Sequence, residues 1–207
     1  MGGISNDIIR DAQPSSRRTL AKGAAWSIPV MAMGSFAPAR AASLPPGLQG
    51  WVNLIKGCDT QSPRNMTVEI NGIGNYPTRG LWVYNTTPTT VITGAKLTLY
   101  FPSDWNVTSI TAATGNSGWS VPAPDSSVPV KPGLQAYSTT YTGTWQYVAA
   151  SGGNPAYSYT VGQPHFMATA VVTAGQGYCS TNGFPVTARR TVFVNGHEVT
   201  FERSILL

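Results

Sequence analysis

Charge is scarce in this chain. Lys and Arg number 13 and Asp and Glu 8 among 207 residues, so charged side chains make up 10%. No stripe of Lys or Arg marks a nucleic-acid surface. The adjacent pair Arg189 and Arg190, on a strand, points to opposite faces. Histidine occurs only at His165 and His197. A catalytic zinc takes three protein ligands, and the two histidines lack ligand spacing. Long apolar runs are missing too, and a membrane-spanning helix needs about 20 mostly apolar residues. No G-x-S-x-G elbow, P-loop or dinucleotide fingerprint occurs. The acids that remain beyond the leader are Asp59, Glu69, Asp104, Asp125, Glu198 and Glu202. They show no pairing that identifies a glycosidase and read as surface residues. The sequence points to no metal, cofactor or catalytic residue.

What is present begins with the stretch Ser16 to Ala42. Arg17 and Arg18 sit in Ser16-Arg17-Arg18-Thr19-Leu20-Ala21-Lys22. This run resembles the twin-arginine translocation signal, with Ala21 where Leu is usual. An interrupted apolar stretch follows from Gly23 to Pro38, and Ala39-Arg40-Ala41 then gives an A-x-A cleavage pattern. The resemblance implies export by the twin-arginine translocase, with Arg17, Arg18, Lys22, Ala39 and Ala41 as the signal residues. One alternative is a basic amphipathic helix of the fold, opposed by Pro29 and Pro38. Another is a leader retained as an anchor. The expected organisation is a signal peptide over 1–41, a tether over 42–50 and a folded domain over 51–207. The domain carries no permanent membrane span. The leader holds three of the five net positive charges, so the basic balance is largely a targeting feature.

Cys58 and Cys179 are the only cysteines. An even count in an exported chain predicts one disulfide. Two free buried thiols are the alternative, since a metal pair lacks further ligands. Asn65, Asn85 and Asn106 each open an N-x-[ST] triplet and read as Thr-rich strand ends.

Beyond the leader, Thr, Ser, Gly, Asn and aromatic residues dominate, and no stretch keeps a helical apolar period. Asn65 to Ile73 alternates Met66, Val68 and Ile70 against Thr67, Glu69 and Asn71. Gly80 to Asn85 sets Trp82 and Tyr84 against Leu81 and Val83. Gly94 to Phe101 sets Ala95, Leu97, Leu99 and Phe101 against Lys96, Thr98 and Tyr100. In Trp105 to Ala112, Val107 opposes Thr108 and Ile110. Pro122 to Gly133 is too rich in proline for a central strand and reads as a loop or edge crossover. Leu134 to Ala149 reads as a long strand or hairpin. Asn195-Gly196 is a strong hairpin signal between Val186–Val194 and His197–Ile205. About ten short strands of this kind predict an all-β antiparallel sandwich.

The segment LWVYNTTPTTVITGAKLTLYFPSDWNVTSITAATGNSGWSV, from Leu81 to Val121, resembles bacterial immunoglobulin-like domains of exported surface proteins. It shares an Asn-Thr turn, the ITGAKLTLYFP strand and a Gly-Trp pair about twenty residues on. The leader, with its KGAAWSIPV segment, is similar to those of actinobacterial exported proteins. The resemblance implies an immunoglobulin-like β-sandwich at the cell surface or in the medium.

The candidate ligand-binding residues are Tyr137, Tyr141, Trp145 and Tyr147. All are odd-numbered, so an unbroken strand places them on one face, with Ser138, Thr140, Thr142, Thr144 and Gln146 on the other. Either that aromatic face is core, or it is an exposed platform that stacks on sugars. Gly143 is a candidate bulge within the row. The expected function is a non-enzymatic structural or interaction module of the cell envelope, its partner a cell-wall glycan or another envelope protein. A carbohydrate-binding module using the aromatic face is the alternative, and a secreted hydrolase the third.

Overall fold

The computed structural model describes residues 44–74, 79–173, 179 and 183–207. The signal residues Arg17, Arg18, Lys22, Ala39 and Ala41 lie outside the described residues. Pro45–Leu207 forms one compact unit.

Every described strand pairs antiparallel, and the all-β antiparallel sandwich expected from the alternation is what the chain forms. Among the described residues thirteen strands run in order: β1 (Gly47–Trp51), β2 (Asn53–Cys58), β3 (Asn65–Asn71), β4 (Gly80–Tyr84), β5 (Ile92–Pro102), β6 (Trp105–Ala112), β7 (Ala123–Pro124), β8 (Leu134–Thr140), β9 (Trp145–Val148), β10 (Tyr157–Thr160), β11 (His165–Val172), β12 (Pro185–Val194) and β13 (His197–Leu206). They make three sheets, ordered β1-β4-β10-β9, β2-β3-β11-β6 and β13-β12-β5-β8-β7. The first two are continuous along the chain. β1 passes into β2 across Val52, and β10 into β11 across residues 161–164. Trp51 pairs with Gly80 and Asn53 with Asn71, so β1 and β2 take different partner strands, β4 and β3.

One core cluster draws on all three sheets. It takes Leu48, Leu81 and Val83 from the first, Met66, Val68, Ile70 and Phe166 from the second, and Leu97, Leu99, Phe101, Val186 and Val192 from the third. The period-two alternation read from the sequence puts these side chains inward. Trp105 is fully buried, stacked on Phe101 and edge-on to Phe184.

Local expectations change in three places. Gly47 to Gly50, expected as tether, already belongs to β1, because the backbone of Gly47–Trp51 pairs with Tyr84–Gly80. Val107 and Ile110, expected on opposite faces, both pack against the core. Their register against β11 shifts between Thr169 and Ala170, and the extra residue of this β-bulge reverses the parity. Thr98 and Tyr100 face away from the core and are nevertheless buried. The proline-rich stretch straps across that outer face: Tyr100 donates its hydroxyl to Pro129 O at 3.0 Å, and Lys96 pairs with Asp125 at 3.2 Å. Leu134–Ala149 is neither one strand nor a hairpin, since β8 lies in the third sheet and β9 in the first.

The Asn195-Gly196 turn joins β12 to β13, with Val194 paired to His197. Both turn residues have positive φ, 50° and 82°, which Asn and Gly tolerate best. The Asn195 side chain also accepts from Val91 N at 3.0 Å. Cys58, at the end of β2, is bonded to Cys179 across 121 residues of sequence.

Candidate functional site

The four aromatic residues expected to share a face do not share one. Tyr137 lies on β8 opposite Leu99, on the inward side of the third sheet, tilted against Phe101. Tyr141 lies between β8 and β9 and is 7% exposed. Trp145 and Tyr147 are paired with Thr160 and Ser158 on β10. Thr160 and Ser158 are buried, so β9 turns these two rings toward the inner side of the first sheet. The physical reason is the break at Tyr141–Thr144, where the chain crosses from one sheet to another. Tyr141 fixes that crossing. Its hydroxyl donates to Thr144 O at 2.7 Å and accepts from Gly162 N at 2.9 Å, while its ring packs on Trp119 and edge-on to Trp145. Trp119 donates its indole N–H to Gly162 O at 3.1 Å. Tyr137, Tyr141 and Trp145 belong to or pack against the core, Tyr147 is half-buried, and the four do not form one shared platform.

An aromatic surface does occur on the outer side of the same first sheet. The even parity that puts Ser158 and Thr160 inward puts Tyr157 and Tyr159 outward on β10. Tyr159 is paired across the ladder with Trp82, and Tyr157 with Tyr84. On the other flank they are paired with Gln146 and Val148. Cross-strand neighbours on one face lie within side-chain contact, and the Tyr157 and Tyr159 ring centroids are 6.0 Å apart.

This face floors a cleft of about 510 Å³. Trp82 lies buried in the floor, Tyr157 and Tyr159 are half-buried, and Val148 and Val161 extend the apolar wall. Arg79 and Gln163 supply the polar groups. Arg79 donates to Asn71 O at 3.0 Å. Gln163 donates to Thr160 O at 3.2 Å through its amide nitrogen, while its amide oxygen is buried and accepts no hydrogen bond. Tyr159 donates its hydroxyl to the Gln146 amide oxygen at 2.7 Å, which holds the ring against the sheet.

The sequence carried this face in plain view. Trp82 and Tyr84 alternate with Leu81 and Val83, and Tyr157 and Tyr159 alternate with Ser158 and Thr160. What alternation alone leaves open is which of the two faces is outward, and that is set by the pairing of β4 with β10.

The titratable groups are arranged differently. His165 Nδ1 lies 2.6 Å from Thr114 O, and Nε2 lies 2.9 Å from a Glu69 carboxylate oxygen. Both ring nitrogens thus face oxygen acceptors, and no nitrogen lone pair is directed at an open cleft. The His165 hydrogen bond, followed by that from Asn71, lowers the Glu69 pKa. Asp125 is held well below the usual carboxylate range, first by the Ser127 hydroxyl. Glu198 and Glu202 pair with Arg189 on the outer face of β12 and β13, and Glu202 also with Lys131 at 2.6 Å. Among the described residues no three of His, Cys, Asp and Glu converge on a point that would hold a metal ion.

The chain matches no known family model, no curated protein and no solved structure. The architecture therefore rests on its own geometry.

Proposed function

We propose that the protein is an exported, non-enzymatic module of the cell envelope that binds glycan on the outer face of the β1-β4-β10-β9 sheet. The observation that carries this reading is the cleft of about 510 Å³ with Trp82, Tyr157 and Tyr159 beside Arg79 and Gln163. A sugar ring presents an apolar C–H face and a rim of hydroxyls. Tyr and Trp suit the first, since each combines a flat apolar body with a polar tip. Arg79 suits the second as a donor. A concave apolar surface with a few convergent polar groups is the usual form of a small-molecule site.

The export part of the reading draws on the leader. Arg17-Arg18 and the Ala39-Arg40-Ala41 pattern make the twin-arginine translocase the expected transport partner. The Cys58–Cys179 bond agrees with an oxidising compartment outside the cytoplasm. An immunoglobulin-like relation to surface proteins of actinobacterial type fits the sandwich, and folds of this type host many unrelated roles. Glycan binding is therefore argued from the cleft alone.

Co-sedimentation of the purified chain with insoluble cell-wall polysaccharide tests the reading. The parent chain pellets with the polysaccharide, and a Tyr157→Ala/Tyr159→Ala double variant stays in the supernatant. A parent chain that remains soluble at every polysaccharide loading rejects the glycan assignment.

A further inference from the structure

Arg189 and Arg190 are neighbours with opposite fates. Arg189 points outward and pairs with Glu198 and Glu202. Arg190 points inward and is 3% exposed. Its guanidinium donates to Ala188 O at 2.9 Å and lies 5.7 Å from the Phe201 ring centroid. No carboxylate pairs with it among the described residues. A guanidinium has five N–H donors and stays protonated in proteins. Burial, and then the charge of Arg203, lower the Arg190 pKa to about 10, which still leaves it cationic at neutral pH.

The second cation is close by. Arg203 stands opposite Ala188 on β13, and its guanidinium lies 3.7 Å from the Trp51 ring centroid. Arg190, Arg203 and Trp51 together line a pocket of about 80 Å³ where β1 and β2 meet β12 and β13. Leu54, Val186 and Ile205 complete its apolar walls. A buried charge without a counter-charge is costly, and its natural compensation is an opposite charge with matching hydrogen bonds.

We propose that Arg190 and Arg203 form an anion site that takes the carboxylate group of a ligand entering between β2 and β13. A planar carboxylate matches the guanidinium fork in bidentate fashion. It carries one charge and is attached through carbon, which the apolar walls accept. A phosphate carries more charge and loses more hydration on entering such walls. Trp51, 41% exposed, stands at the mouth with Arg203 stacked on it. Nothing in this site overlaps the cleft at Trp82, Tyr157 and Tyr159.

The Trp51 indole N–H signal in a nitrogen-15 correlation spectrum reports directly on the pocket, with Trp51→Phe to assign it. The probe is sodium acetate, titrated into the full chain at constant ionic strength against sodium chloride, with sodium phosphate in a parallel arm. The expected result is a saturating shift with acetate, lost in Arg190→Met and weakened about tenfold in Arg203→Gln. If Arg190→Met does not fold, the surface variant Arg203→Gln decides alone: weaker binding supports the site, and unchanged binding overturns it. A shift that fails to saturate, that persists in Arg190→Met, or that saturates with phosphate and not acetate also overturns it.

Discussion

Tyr159 on β10 sits directly across the ladder from Trp82 on β4, and this pair gives the first sheet its aromatic outer face. The two residues are 77 positions apart in sequence, and only the pairing of β4 with β10 brings them side by side. Substituting Tyr159 removes cleft surface and leaves the core untouched. Tyr159→Ala is expected to weaken glycan binding while changing unfolding stability by less than about 1 kcal/mol, since the ring is half-buried and outward. Urea unfolding followed by intrinsic fluorescence reads the second quantity.

Tyr141 is the opposite case. Its hydroxyl satisfies two backbone groups, Thr144 O and Gly162 N. Thr144 O keeps its bond from Val161 N, so Tyr141→Phe leaves Gly162 N without a partner in a buried setting, which costs about 1–3 kcal/mol. Because the corner lies on the inner side of the sheet, glycan binding by the folded variant is expected to match the parent. The same unfolding measurement gives the stability, and co-sedimentation gives the binding.

The disulfide closes a loop of 121 residues of sequence separation. Replacing both partners, Cys58→Ala with Cys179→Ala, is expected to destabilise the chain by about 2–5 kcal/mol. Adding a reductant to the parent reproduces that loss, and adding it to the double variant changes nothing. Equal stability of parent and variant under oxidising conditions would show that the bond contributes nothing.

Glu69 and Asp125 both have folded pKa values below the ordinary carboxylate value. A depressed folded pKa means that the unfolded chain takes up protons at higher pH than the native one. The stability these groups contribute is therefore present above the unfolded value, near pH 4, and is lost as pH falls toward the folded one. Unfolding free energy should decline between about pH 5 and pH 2. Asp125→Asn should flatten that decline, because it removes the titrating group that Ser127 and Lys96 hold in place. A variant whose slope equals the parent's would place the acid sensitivity elsewhere.

Much of the sandwich was legible in the sequence because its signals are local. Alternation in Met66–Ile70 and Ala95–Phe101 named the inward residues of β3 and β5. The turn chemistry of Asn195-Gly196 fixed the β12–β13 register. The opposite faces of Arg189 and Arg190 followed from strand parity. Parity failed where the chain departs from a regular strand. A bulge brought Val107 and Ile110 to one side, and the crossing at Tyr141–Thr144 split one apparent aromatic row between two sheets. The outer burial of Thr98 and Tyr100 depends on the proline-rich strap, a contact between distant segments that no periodicity encodes. The cleft itself needed the pairing of β4 with β10.

Isothermal titration with soluble fragments of cell-wall polysaccharide tests the central claim most directly. The parent chain and Tyr141→Phe should bind with the same affinity. Tyr157→Ala/Tyr159→Ala should bind at least about tenfold more weakly, the loss expected for two aromatic contacts. Equal binding by the double variant would contradict the assignment of the outer aromatic face as the working surface.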